Sequence, residues 1–69
     1  MTLQPHQQRV VTERDELKSK TKALTTFIDR NATFSTLPKR EQELLQQQEV
    51  FMRSYLNVLD QRIALFTGN

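Results

Sequence analysis

No cysteine, no tryptophan and a single glycine occur in this chain of 69 residues. The lack of cysteine excludes a disulfide staple and a thiolate, whether nucleophile or metal ligand. The lone glycine, Gly68, leaves no Gly-rich loop to cradle phosphate. The one histidine, His6, has no orienting partner in the pattern and cannot build a zinc site. Ten basic residues against eight acidic ones give a net charge of +2, too balanced to steer the chain onto duplex nucleic acid. No apolar run approaches the ~20 residues of a membrane span, and no charged-then-apolar secretory signal opens the chain. The chain therefore reads as cytoplasmic, and Asn31-Ala32-Thr33 as a glycosylation triplet only by chance. Glu13, Asp15 and Glu16 could hold a metal on paper, but Arg14 and Lys18 interleave with them, so a solvated charged face is the better reading. These absences describe a protein that is not an enzyme and carries no cofactor or metal.

What is present is helical periodicity. From Leu44 to Phe66 apolar residues recur every three or four positions, the period of a helix face. Two adjacent stripes emerge. Leu44, Phe51, Val58 and Leu65 repeat every seven residues, and so do Leu45, Met52, Leu59 and Phe66. Leu56 and Ile63 widen the arc, while Gln48, Tyr55 and Arg62 draw a polar line within it. One helix touching one neighbour needs a single narrow stripe. A face this wide predicts a helix that packs on its own partner and on other subunits as well. Length points the same way, since a chain this short does not easily bury a sufficient core alone.

The rest of the chain supplies that partner. Pro5 suits the first turn of a helix, and from there to about residue 30 Leu3, Val10, Leu17 and Leu24 form a seven-residue stripe joined by Val11, Phe27 and Ile28. Asn31–Thr36 interrupts the pattern, with Asn31 suited to a helix C-terminus and Ser35 or Thr36 to an N-cap. Pro38 belongs to the first turn of the next helix, and Phe34 and Leu37 plug the end. The expectation is one all-α domain over 1–69: a helix over about 5–30, a link over 31–36 and a helix over about 38–66 that frays beyond. The two helices form an antiparallel hairpin assembled into a homo-oligomer. Equal pitch on both sides would set Leu24 against Leu44 and Leu45, and Leu17 against Phe51 and Met52. Val10 would then meet Val58 and Leu59, Arg14 would lie near Tyr55, and His6 and Gln7 near Arg62.

Candidate binding residues fall in two lines. Arg9, Arg14, Lys18 and Lys22 follow at steps of five, four and four along one slowly drifting face. That spacing alone fits a solvated face balanced by Glu13, Asp15 and Glu16. Arginine nevertheless binds phosphate in bidentate fashion, and an oligomer would gather such faces. Tyr55 and Arg62 lie two turns apart inside the apolar arc. The plain reading is an interface tyrosine and a snorkelling arginine; the sharper one is an aromatic ring and a cation awaiting an anion. Arg53 lies off the apolar face and reads as exposed.

Taken together, LQPHQQRVVTERDELKSKTKALTTFI, a link with Phe34 and Leu37, and EQELLQQQEVFMRSYLNVLDQRIALF resemble a helical-hairpin family of phages and prophages. It is the hairpin domain shared by anti-CBASS and anti-Thoeris sponge proteins. The resemblance runs from about His6 to Phe66 and rests on Gln8–Val10, Glu13, Leu17, Leu24–Ile28, Met52, Tyr55, Leu59, Arg62 and Ile63. It implies a hexamer, in the host bacterial cytosol, that sequesters a cyclic nucleotide immune signal between subunits. The signal would be a cyclic di- or trinucleotide or a cyclic ADP-ribose isomer. The site residues follow from chemistry and position: Tyr55 for stacking, Arg62, Arg14 and Arg9 for phosphate, and Lys18 and Lys22 in support. A structural or inhibitory coiled-coil module that binds another protein is the alternative.

Overall fold

In the computed structural model, which describes residues 2–68, three helices follow in order: α1 (Pro5–Arg30), α2 (Ala32–Thr36) and α3 (Lys39–Thr67). Met1 and Asn69, the ends of the expected domain, lie outside the described residues, as does the fraying expected at Asn69. There is no strand among the described residues, and none of their helices is long and apolar enough to cross a membrane.

Helix α1 opens at Gln4, whose backbone N–H donates to Gln7 Oε1 at 2.9 Å, with Pro5 occupying the first turn where an N–H is not needed. Its inward residues fall at alternating steps of three and four: Gln7, Val10, Arg14, Leu17, Thr21, Leu24 and Ile28 are all buried or half-buried. This is the seven-residue seam that knobs-into-holes packing demands. Three of its members, Gln7, Arg14 and Thr21, are polar. Thr21 is buried, and its hydroxyl donates back to the Leu17 carbonyl at 2.7 Å, so its polar atom enters the seam already satisfied.

The link is ordered by its own side chains. Asn31 ends α1, donating its N–H to the Phe27 carbonyl at 3.2 Å, and it caps α2, its side chain accepting from the Thr33 N–H at 2.9 Å. Ser35 and Thr36 do not cap the next helix. Their hydroxyls bond back to Ala32 and Thr33 carbonyls at 2.8 and 2.6 Å, closing the single turn of α2. Leu37 is then held extended, as a residue before proline prefers, and Pro38 takes the N-cap of α3. Phe34 is buried, its ring edge-on to Phe27 at 6.0 Å between centroids.

Helices α1 and α3 lie side by side with opposite chain directions: Arg14 reaches Asp60, and Arg53 reaches Thr25. The register is not the one equal pitch predicts. Arg14 stands level with Asp60 rather than Tyr55, and Thr25 near Arg53 rather than Leu44. Arg14 is sixteen residues before the end of α1, whereas Asp60 is twenty-one residues into α3. The N-terminal part of α3 thus runs past the end of α1. The cause is α2: the link is wound into a helical turn carrying Phe34 instead of reversing at once. At the other end Leu3, Gln4 and Gln7 share a cleft of about 330 Å³ with Phe66. Gly68 closes α3 in the left-handed region at φ +81°, its N–H on the Ala64 carbonyl, where the absence of a Cβ is an advantage.

Candidate functional site

The two apolar stripes of α3 part company. Leu45, Met52, Leu59 and Phe66, with Leu56 and Ile63 between them, are buried or half-buried, and Leu59 is wholly enclosed at 0 % exposure. The other stripe faces outward: Phe51 is 68 % exposed and Leu65 85 %, with Leu44 and Val58 also open. Tyr55 and Arg62, both exposed, lie on this outward stripe together with Gln48. Beside them Leu44, Gln47, Gln48, Phe51, Met52 and Tyr55 line a shallow, mostly apolar groove of about 330 Å³.

Six candidate residues were expected to converge, and the structure distributes them over four places. Tyr55 and Arg62 share the outer stripe of α3. Arg14 sits in the seam between α1 and α3, its Nη1 on Asp60 and its Nε on Asp15, both at 2.8 Å. These two hydrogen bonds, Asp60 foremost, raise its pKa above the usual arginine value. Its charge is therefore committed within the chain, and the expected approach to Tyr55 is replaced by the pair with Asp60. The physical reason is the register: Asp60 is the only acid beyond Glu49, and the offset brings it level with Arg14. Gln7 is likewise turned inward to the Gln4 N–H, and no hydrogen bond or ion pair joins it or His6 to Arg62 among the described residues.

Lys18 and Lys22 form the third place. With Thr21, Thr25, Thr26, Arg53 and Leu56 they surround a cleft of about 370 Å³ between the two helices. Arg53, read from the sequence as merely exposed, reaches across to the Thr25 hydroxyl at 3.4 Å while keeping an ion pair to Glu49 at 3.7 Å. The surface of this cleft is mostly apolar, and Lys18 and Lys22 are its unpaired cations, since Arg53 is engaged by Glu49. The signal was present as Thr21, Thr25 and Thr26 beside two lysines, but Arg53 could join them only once the register was known. Arg9 stands alone on the exposed side of α1, and among the described residues the side chains of Arg9, Lys18, Lys22 and Arg62 make no hydrogen bond or ion pair. No cluster of His, Asp and Glu among the described residues is arranged to hold a metal ion.

Clefts of 330–370 Å³ lie at the low end of the ~300–1,000 Å³ range of small-molecule pockets, and these are open grooves. A single chain thus presents cations and an aromatic ring without enclosing them. The Sequestin family model matches residues 4–65, nearly the whole of both long helices and all six candidates. The chain belongs to the Sequestin family. A relative in Enterobacteria phage T4, the uncharacterized 7.5 kDa protein in the denB-rIIB intergenic region, is 44 % identical over 61 residues. That alignment covers 88 % of this chain and 94 % of the T4 protein. No solved structure matches this Sequestin chain.

Proposed function

We propose that this protein is a phage immune-evasion sponge that binds and withholds a cyclic nucleotide second messenger without catalysing any reaction. Its unit is the antiparallel two-helix hairpin, assembled as a homo-oligomer in the host bacterial cytosol; a hexamer is the state implied by the sponge resemblance. The observation that carries the reading is the outward stripe of α3. It keeps Tyr55 and Arg62 exposed beside an apolar wall, in a chain whose family is named for sequestering. A cyclic nucleotide offers flat bases, phosphates and ribose hydroxyls, and is held by stacking, charge-assisted hydrogen bonds and exclusion of water. Tyr55 supplies the stacking face and Arg62 the bidentate donor. Arg9, Lys18 and Lys22 supply unpaired positive charge, while Arg14 takes part only where a phosphate displaces an aspartate. The messenger is a cyclic di- or trinucleotide or a cyclic ADP-ribose isomer.

Thermal unfolding with a panel of these compounds tests the reading. The cognate ligand at a hundred to a thousand times its dissociation constant stabilises the folded oligomer by ~3–4 kcal/mol. Heat-released ligand is recovered chemically unchanged. The second reading, a coiled-coil module that binds another protein, is favoured by the same exposed apolar stripe. It predicts no shift with any nucleotide of the panel.

A further inference from the structure

The seam between α1 and α3 fits together in more than one register, and its apolar residues do not choose among them. On α1 the stripe is Leu3, Val10, Leu17 and Leu24, and on α3 it is Leu45, Met52, Leu59 and Phe66, both repeating every seven residues. Two such stripes slide by one heptad, ~10 Å at 1.5 Å per residue, and meet again. The structure stands one such step away from equal pitch. Arg14 pairs five residues beyond Tyr55, and Thr25 pairs nine residues beyond Leu44, a mean of seven. That mean sets Leu24 level with Met52, Leu17 with Leu59 and Val10 with Phe66, while Leu45 falls level with the link. Equal pitch would instead keep all four apolar layers, with Leu24 on Leu45 and Leu3 on Phe66. The link allows either arrangement. Eight residues separate Arg30 from Lys39, and the five of α2 rise ~7.5 Å, most of one heptad.

We infer that the Arg14–Asp60 pair is the catch that holds the hairpin in this staggered register. Arg14 is a seam residue with 28 % of its side chain exposed, and a cation so placed needs an anion within reach. In the staggered register Asp60 lies level with it, and Arg14 Nη1 donates to the carboxylate at 2.8 Å. At equal pitch Arg14 would stand level with Tyr55, between Met52 and Leu59. The nearest acids of α3, Glu49 and Asp60, would then be six and five residues away, ~8–9 Å along the axis. One heptad the other way carries Arg14 level with Thr67, past every acid of α3. The remaining polar groups of the seam are indifferent to sliding. Asp15 accepts from Arg14 Nε at 2.8 Å on the same helix, so it travels with the arginine. Gln7 accepts from the Gln4 N–H and Thr21 donates to the Leu17 carbonyl, both within α1 or its cap. On the flank, Arg53 agrees with the catch. It reaches Thr25 in the staggered register, whereas equal pitch would bring it to Lys18, one heptad earlier, where it meets a like charge. A single polar residue inside an apolar seam is an established way to fix register at some cost in stability. Here α2 supplies the rise between the two registers, and the ion pair decides between them.

Spin labels on Gln8→Cys and Gln46→Cys read the register, since both sites are exposed, one on each helix, and no native cysteine competes. Labelled chain is diluted into a large excess of unlabelled chain, so that double electron–electron resonance reports distances within one chain. The staggered register separates the two Cα atoms by ~35 Å and equal pitch by ~25 Å, with the helix axes ~10 Å apart. The chain with Arg14 and Asp60 intact gives the long distance alone, and a short population already present there would overturn the inference. Arg14→Leu suits the seam in either register, and Asp60→Lys sets a like charge beside Arg14. Each adds a population ~10 Å shorter. Arg14→Glu combined with Asp60→Arg returns the long distance alone. Both single variants keeping only the long distance would overturn the catch and leave the register to the link. A charge swap that keeps the short population would overturn the part played by charge. Loss of helix in Arg14→Leu, followed by circular dichroism, leaves Asp60→Lys to decide, because the Asp60 side chain is half in water.

Discussion

Replacing Leu59 by alanine and, separately, its neighbour Val58 by alanine separates the two faces of α3. Leu59 is fully enclosed between the helices, whereas Val58 is 52 % exposed. Truncating an enclosed leucine loses the transfer free energy of the removed carbons and leaves a cavity, together ~2–5 kcal/mol. A domain of this size holds only ~3–10 kcal/mol in all, so Leu59→Ala removes a large share of its stability. At ~4–8 °C per kcal/mol the melting temperature falls by at least ~10 °C. Val58→Ala removes a side chain already half in water within its chain. Its cost in the isolated chain is ~0.5 kcal/mol or less, as for most surface changes. If a partner covers Val58, the further penalty depends on concentration, because only the associated state contains the lost contact. The assay is urea unfolding followed by circular dichroism over a hundredfold range of protein concentration. Leu59→Ala shifts the curve at every concentration, while Val58→Ala mainly flattens the rise of the midpoint with concentration. Equal penalties for the two variants at the lowest concentration would refute the division of α3 into an inner and an outer face.

Arg62→Ala and Tyr55→Ala each weaken nucleotide binding by calorimetry, Arg62→Ala by ~2–3 kcal/mol as a lost charge-assisted contact. Unchanged affinity in both variants would move the site off the outward face of α3. Asp60→Asn lowers the thermal midpoint, and the loss shrinks in high salt as screening weakens the native pair with Arg14. The pKa of Arg14 is raised in the fold, so its stabilising contribution is complete below the ordinary arginine pKa and is lost only as pH rises above that. The Asp60→Asn penalty is accordingly the same at pH 7 and pH 9 in a pH series of melting curves, and a penalty that fades between them would contradict the pairing. Gly68→Ala strains a left-handed residue by ~1–2 kcal/mol although its Cβ would meet no neighbour. The expected sign is faster amide exchange confined to the last turn of α3, with the global midpoint unchanged.

Helix identity was legible from the chain because both long segments carry strong three-four periodicity and almost no glycine or proline. The inward stripe of α1 could be read for the same reason: Val10, Leu17 and Leu24 have no rival apolar face on their helix. On α3 two equally apolar stripes competed, and nothing local decides which of Val58 and Leu59 turns inward. Only packing against α1 decides it, and Leu59 is the one enclosed. Register was the least legible quantity. Ser35 and Thr36 look like caps for the following helix, yet they close a helical turn of their own. That turn offsets the pairing by five residues at Arg14 and by nine at Thr25, so Arg14 leaves Tyr55 for Asp60 and Arg53 meets Thr25.

The doublets Leu44-Leu45, Phe51-Met52, Val58-Leu59 and Leu65-Phe66 give α3 an unusual tolerance profile. At each doublet one residue faces α1 and its neighbour faces outward, so either can be exchanged for another apolar residue with its effect confined to one face. Chain length cannot vary in the same way. Deleting one residue anywhere between Leu45 and Phe66 turns everything after it by ~100° about the helix axis. Beyond the gap the inner seam then faces the wrong neighbour and the outer seam loses its continuity in the same step. A residue added in the link behind Asn31 leaves both long helices internally continuous, and its cost is confined to the α2 turn and the register that turn sets. Length variation among relatives of this chain should therefore accumulate between the helices and at the ends, with α3 changing its letters and keeping its count.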